Sequence, residues 1–517
     1  MKNALKLIAL LLAVMMVALP LVACENKPEP TSGETSGKTS GKTSGEPASD
    51  EPNVPTDGRF DGETIRFYIN AGDSDAGSEE SLQIRSICLD EDADMAYNIN
   101  QAVATRNQTV QDKLGVTIEL TGSCGMQAAG TELQPILLGG SDEFDVFGAY
   151  QYFDMGLAIG ETAGTFLNYK KIADDEMFID PTKPYWDTDC FEELAYQGAA
   201  YWLTGDLSET WVSTMFVTFV NANLWKQYAE TIKGLCGYDD IYELVYAGEW
   251  TLDLWSKISQ AVYVDTNSDD KIDYLDTLGY ISYNEQLNNI MVDGLAAGSH
   301  VTYSEKVDGV PTINFYNDHS VAFADALYKL YKESKACLIP WLDEYYIMDI
   351  FAMGNVLMCV QNLAAAESYL ADMTDDYYIV PVPKLNKEQA NYATTIGDCV
   401  SQYGIPVTCP HVGATTATLE LMAYYSKKLV TPAYYDVALK ERYTRDEKAA
   451  AMIDFIHDTT YSDFAMLWSN ELSNVTWFFR TNITKRFASS AKTQQKKWTN
   501  ALEKLLEKLE TSTYIEN

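Results

Sequence analysis

The stretch DTNSDDKIDYLD places Asp265, Asn267, Asp269, Asp273 and Asp276 at positions 1, 3, 5, 9 and 12 of a twelve-residue window, with Lys271 at position 7. Side-chain oxygens in that order, joined by the backbone carbonyl at position 7, are the ligand spacing of a calcium loop. The expectation is a structural Ca2+ held by Asp265, Asn267, Asp269, Lys271 through its carbonyl, Asp273 and Asp276. Position 6, usually glycine, is Asp270, a residue type that visits left-handed backbone more readily than most. Position 12 is Asp276 rather than glutamate, which shortens the bidentate reach. A calcium sensor needs a helix on each side of its loop. Here a helical pattern enters, but the exit TLGYIS is β-like and contains Gly279. The loop reads as a fastening, the alternative being an acidic surface turn that holds no ion.

Other chemistry is weakly represented. The four histidines, His300, His319, His411 and His457, are far apart with no HExxH spacing, there is no GxSxG elbow, and the usual glycine-rich phosphate loops are missing. Glycoside hydrolysis needs only two carboxylates. With 75 acidic residues, pairs are too abundant to single one out.

The elements that would position such groups alternate in type. TIRFYIN (64–70) reads as a strand, 98–114 as a helix stopped by Gly115, VTIELTG (116–122) as a strand, TELQPILLGG as a short helix and FDVFGAY (144–150) as a third strand. Strand and helix alternating in this way describe a parallel sheet with crossover helices, so the fold class is α/β. A second α/β segment starts near STMFVTFVN (213–221). In WTLDLWSKISQAVYV (250–264) the apolar positions Leu254, Trp255, Ile258, Ala261 and Val262 have helical spacing and lead into the acidic loop. The last third is mostly helical, with 415–429, 446–457 and a final helix whose Trp498, Leu502, Leu505, Leu506 and Leu509 form one core-facing stripe.

The N-terminus and the charge bound the setting. Lys2 and Lys6 precede a short apolar run ending in Leu21-Val22-Ala23-Cys24. That is the layout of an export signal over 1–23, and its end resembles the bacterial lipobox, whose cysteine is acylated. Residues 24–58, with a TSG(E/K) repeat, cannot bury a core and read as a tether with a reach of roughly 30–35 Å. The formal charge of −38 becomes −40 once Lys2 and Lys6 are removed. No basic stripe offsets it, so nucleic acid is not an expected partner. Nine cysteines less Cys24 leave eight, widely spaced and without a CxxC pair, which supports neither a zinc ribbon nor a redox motif.

Four passages carry a family likeness: DPTKPYWDTDCFEELAYQGAAYWLTGDLS (180–208), FVTFVNANLWKQY (216–228), the run 239–280 through the acidic loop, and FAMGNVLMCVQN (351–362) with YYIVPVPKLN (377–386). In order and spacing the chain resembles the family 1 extracellular solute-binding lipoproteins, the sugar-binding subunits of ABC importers. The resemblance implies a two-lobed, periplasmic-binding-protein-like (type II) clamp with a hinge. Lobe one would span 60–210 plus 345–398, and lobe two 211–344 plus 399–517. It implies capture of a carbohydrate, a neutral oligosaccharide by preference, and delivery to ABC permease subunits. The protein would act without catalysis, anchored to the extracellular face of the bacterial cell membrane through acylated Cys24. Similar acidic loops recur at this point in the family. An exported glycan hydrolase, a peptide-binding importer subunit and an adhesin stay open as alternatives.

A sugar presents apolar C–H faces and a rim of hydroxyls, which suits aromatic platforms beside carboxylates and amides. The chain has 34 Tyr and 10 Trp. Position selects among them. Asp73, Tyr150 and Gln151 follow predicted strand ends, where open α/β sheets bind ligands. Asp206, Glu209 and Trp211 lie beside the first implied lobe crossing, and Asp398 and Tyr403 flank the second. Gln361 and Asn362 follow the strand VLMCV, and Trp468 falls in a Ser/Asn-containing loop.

Overall fold

The computed structural model describes residues 50–72, 81–89, 93–284, 287, 289–333, 337–339, 346–438, 447–483 and 487–513. The expected export signal, Cys24 and most of the tether lie outside the described residues, as does Asp73. Two sheets organise the body. In the first, β1 (Thr64–Asn70), β2 (Thr117–Cys124) and β3 (Val146–Tyr150) run parallel in the order β2-β1-β3, and β11 (Ser401–Gly404) joins β3 antiparallel. The edge strand β2 is largely open to solvent, whereas β3 is buried throughout, as a covered central strand must be. The helix Asn98–Leu114 links β1 to β2 and stops where the sequence places its end. Gly115 takes a φ of 72°, and its N–H donates to the Gln111 carbonyl at 2.8 Å.

The second sheet has the order β10-β4-β9-β5-β8, with β4 (Phe216–Asn221), β5 (Leu278–Tyr283), β8 (Cys337–Ile339), β9 (Val356–Asn362) and β10 (Tyr377–Val380). Strand β5 is parallel to both neighbours, and β4 is antiparallel to both of its own. A hairpin of β6 (Ser304–Val307) and β7 (Val310–Ile313) turns through Asp308-Gly309, both at positive φ, the requirement of a tight two-residue turn. Thr251 caps the helix Leu252–Val262, which buries Leu254, Trp255, Ile258 and Val262 and leaves Ala261 exposed. A Cβ on Gly279 would overlap the Ser259 backbone, so only glycine lets this helix lie so close to β5.

Sheet membership corrects the implied lobe boundaries. Strands β9 and β10, expected in lobe one as part of 345–398, pair with β4 and β5 in the second sheet. Strand β11 and the helix Val412–Ala438, expected in lobe two, belong to the first; across that helix contact Arg106 Nη1 donates to Ser426 Oγ at 3.0 Å. The chain therefore passes between sheets near 214 and near 399, and not near 345. Strand β4 is buried along its whole length and needs a partner on each side, which β9 and β10 supply. The two passages run side by side, with Phe216 N–H donating to the Thr395 carbonyl at 3.3 Å and Gly397 N–H to that of Thr214 at 3.0 Å.

The helix Glu447–His457 packs on β10. The final helix, Phe487–Thr513, packs on β7 and on the helix Asp318–Glu333, burying Trp498, Leu502, Leu505 and Leu509, with Leu506 half-buried. Cys88, Cys124, Cys190, Cys236, Cys359, Cys399 and Cys409 carry free thiols. Among the described residues no helix is long and apolar enough to cross a membrane.

Candidate functional site

A cavity of about 250 Å³ opens where the two sheets face each other. From the first sheet it receives Tyr150 and Gln151 at the carboxyl end of β3, the end at which α/β sheets bind ligands. The passage 395–400 forms one wall. It is pinned to the end of β3 by Gln151 N–H donating to the Val400 carbonyl at 3.1 Å and Tyr152 N–H to the Asp398 carbonyl at 3.0 Å. A Cβ on Gly397 would stand 2.9 Å from Asn362 Nδ2, so the close approach of this wall to β9 depends on glycine. The second sheet contributes Phe216 and Asn362, opposite each other at the ends of β4 and β9.

The remaining wall joins the helix Ile290–Gly298 to the short helical segment Val475–Thr481 through an ion pair. Arg480 Nε donates to Asp293 Oδ2 at 2.7 Å, Arg480 Nη1 donates to the Leu287 carbonyl at 3.1 Å, and Asp398 Oδ2 lies 3.9 Å from Arg480 Nη2. The guanidinium carbon sits 4.9 Å from the centroid of the Trp477 ring, which stacks on Tyr152 at 5.0 Å and 8°. Burial pushes the Asp293 carboxyl up to about 6, with Arg480 pulling against it and Asp398 adding to the rise. Asp187, also on the wall, accepts from Cys190 N–H at 2.9 Å and from Trp211 Nε1 at 3.0 Å. Tyr303 and Tyr461 supply aromatic surface.

Of the residues expected at the site, Tyr150, Gln151, Asn362 and Asp398 meet at this cavity. The other expected residues, among those described, are placed elsewhere. Asp206 is buried and accepts from Thr431 Oγ1 at 2.6 Å. Glu209 pairs with Arg85 in the interior. Trp211 stands behind the wall, holding Asp187 and meeting His457 edge-on at 4.5 Å. Gln361 donates to Tyr346 Oη at 2.7 Å, on the other side of β9 from the cavity's Asn362. Tyr403 is fully buried, and Trp468 is 1% exposed, packed on Phe464. Asp206, Glu209, Trp211 and Tyr403 share one cause: large aromatic or charged residues near a chain crossing are also what seals the crossing.

Asp187, Asp293, Tyr303, Tyr461 and Arg480 are functional candidates that sequence reasoning missed. Arg480 had a signal, since WFFR surrounds a cation with apolar residues and a buried charge needs polar partners. Its partner lies 187 positions away and leaves no local trace.

The acidic loop Asp265–Asp276 is closed at its base by the bridge between Val264 and Thr277. Asp265 accepts from Asp269 N–H at 3.2 Å and Asp270 N–H at 3.0 Å, Asp269 from Lys271 N–H at 2.9 Å, and the buried Asp276 from Thr266 N–H at 3.0 Å. Asp270 takes the left-handed φ of 61° expected at the sharp turn. Among the described residues no group of three or more His, Cys, Asp or Glu side chains converges as a metal ion would require.

No family model matches this sequence, and no curated protein is a significant match. Solved structures do match. An ABC substrate-binding protein of Listeria monocytogenes in complex with cycloalternan aligns over 86% of this chain and 99% of its own, with a TM-score of 0.50 and 14% identity. The cyclic α-maltosyl-1,6-maltose binding protein of Arthrobacter globiformis aligns over 86% and 98%, with a TM-score of 0.52 and 10% identity. The chain has the solute-binding-protein fold. The galacto-N-biose/lacto-N-biose I-binding protein of an ABC transporter of Bifidobacterium longum shares this solute-binding fold, with a TM-score of 0.50 and 14% identity over 85% and 97% of the two chains.

Proposed function

We propose that this protein is the substrate-binding subunit of an ABC importer, taking up a carbohydrate between its two sheets and presenting it to permease subunits. The observation that carries the reading is the composition and place of the cavity. Tyr150, Tyr303, Tyr461 and Phe216 offer flat apolar surface beside Gln151, Asn362, Asp293 and Asp398, all at the junction of two sheets. That mixture suits a ring with apolar faces and a hydroxyl rim. Solved structures of the same fold hold cycloalternan and lacto-N-biose. Anchorage to the outer face of the membrane through acylated Cys24 belongs to the same proposal, as does binding without turnover.

Thermal shift against a carbohydrate panel tests it. A ligand at 100 times its Kd stabilises by about 2.7 kcal/mol. A shift with peptides and with no sugar would overturn the ligand class, and release of reducing ends on incubation would overturn binding without turnover.

A structural calcium ion in Asp265–Asp276 is the second part of the proposal. It would be held by Asp265, Asn267, Asp269, the Lys271 carbonyl, Asp273 and Asp276. The N–H bonds within the loop shape it without exhausting its oxygens, since each carboxylate oxygen has a second lone pair. The ion would fasten the helix Leu252–Val262 to β5, away from the carbohydrate.

A further inference from the structure

Two side-chain oxygens buried in the cavity wall have no partner. Asp293 engages Arg480 through Oδ2 and leaves Oδ1 buried without a partner. Asn362 donates Nδ2 to the Thr214 carbonyl at 2.9 Å and likewise leaves Oδ1 buried without one. Asp398 is 36% exposed, and among the described residues its carboxylate has one ion-pair contact, the long 3.9 Å approach to Arg480. Asp398 is the carboxylate open to the cavity, so a group that pairs with it must bring donors.

Charge points the same way. Asp293 and Asp398 face a single cation, which leaves one negative charge over. Arg480 spends its charge on Asp293, which Nε and Nη2 both approach, while Nη1 donates to the Leu287 carbonyl and the guanidinium face lies on Trp477. Asp187 is already held by Trp211 and Cys190. A partly buried carboxylate without a close partner is compensated best by a cation that also donates hydrogen bonds. The volume of about 250 Å³ lies below the usual range for drug-sized ligands, which limits the occupant to one or two rings.

We propose that the cavity selects a short amino sugar, its ammonium group received by the open carboxylate of Asp398 beside the Asp293–Arg480 pair. This rests on reading the cavity as a carbohydrate site, and it replaces the neutral oligosaccharide expected from sequence. Acidic sugars are rejected because Asp293 and Asp398 already outnumber the one cation, and N-acetylation removes the charge that the site recognises.

Calorimetric titration of the full chain with D-glucosamine, D-galactosamine and the disaccharide of glucosamine, each beside its N-acetyl, neutral and uronic counterpart, provides the test. The amino forms are expected to bind at least about tenfold more tightly than their counterparts, the effect of one charge-assisted hydrogen bond. Asp398→Asn, with an unchanged melting curve, is expected to abolish that preference. Equal binding of amino and neutral forms, or a preference that survives Asp398→Asn, overturns the ammonium assignment and leaves the carbohydrate reading standing. Failure of every sugar to bind the folded protein overturns both.

Discussion

Arg85 shows how a single residue divides stability from recognition. Its Nε donates to Glu209 Oε2 at 3.0 Å and its Nη1 to Glu367 Oε1 at 2.7 Å, and Tyr97 Oη donates to the same Glu367 oxygen at 2.5 Å. Burial pushes the Glu209 carboxyl up while Arg85 pulls it down, so the carboxylate depends on its partner for its charge. Removing Arg85 leaves Glu209 buried and uncompensated. Arg85→Ala is therefore expected to destabilise the protein by about 3–5 kcal/mol in denaturant unfolding, and a loss under about 1 kcal/mol would show that the pair is not the support argued here. Glu209 was read from sequence as a ligand-binding candidate because it is a carboxylate beside a chain crossing. Its partner is 124 positions away, and one sequence holds no sign of that pairing. Tyr150 and Gln151 were legible for the opposite reason: the strand that aims them is local, and its carboxyl end follows from FDVFGAY alone.

Elements were legible wherever the signal lay within them. The helix Asn98–Leu114 has the bounds expected of it because Gly115 terminates it, and the stripe of the last helix is buried as its spacing requires. Strand partners were not legible. VLMCVQN is apolar enough for either sheet, and only the need of β4 for neighbours on both sides decides its place. The acidic loop belongs to this scale, since it joins the helix Leu252–Val262 to β5 and is closed by the Val264–Thr277 bridge. Bound calcium would neutralise carboxylates that otherwise repel across the loop. The expected outcome is a melting temperature that rises with added calcium and falls with a chelator, by up to about 2.7 kcal/mol of stability at 100 times the Kd. Equal melting temperatures in the two conditions would leave Asp265–Asp276 an acidic turn.

At the scale of the whole molecule the formal charge of −38 acts together with a set of buried acids. Burial is the first cause in each case. It pushes Asp154, Asp206, Glu420 and Glu471 up to about 7, and Asp463 up to about 6, against hydrogen bonds that lower them. In the unfolded chain such groups titrate near 4. The folded state thus binds more protons between about pH 4 and 7, and by linkage its stability falls as pH rises through that window. The stabilisation is complete below the unfolded values and is lost as pH passes the folded ones. Deprotonation also adds to a negative charge that already opposes compactness. The expected result is a higher melting temperature at about pH 5 than at about pH 8, a window in which ion-paired carboxylates of lowered pKa contribute a constant stability. Asp206→Asn keeps the hydrogen bond from Thr431 available and removes one titrating group, so it should flatten the profile. A melting temperature that climbs from pH 5 to 8 would overturn the dominance of the buried acids, since ion pairs such as Arg59–Asp57, where the guanidinium holds the carboxyl down to about 2, change stability only below about pH 5.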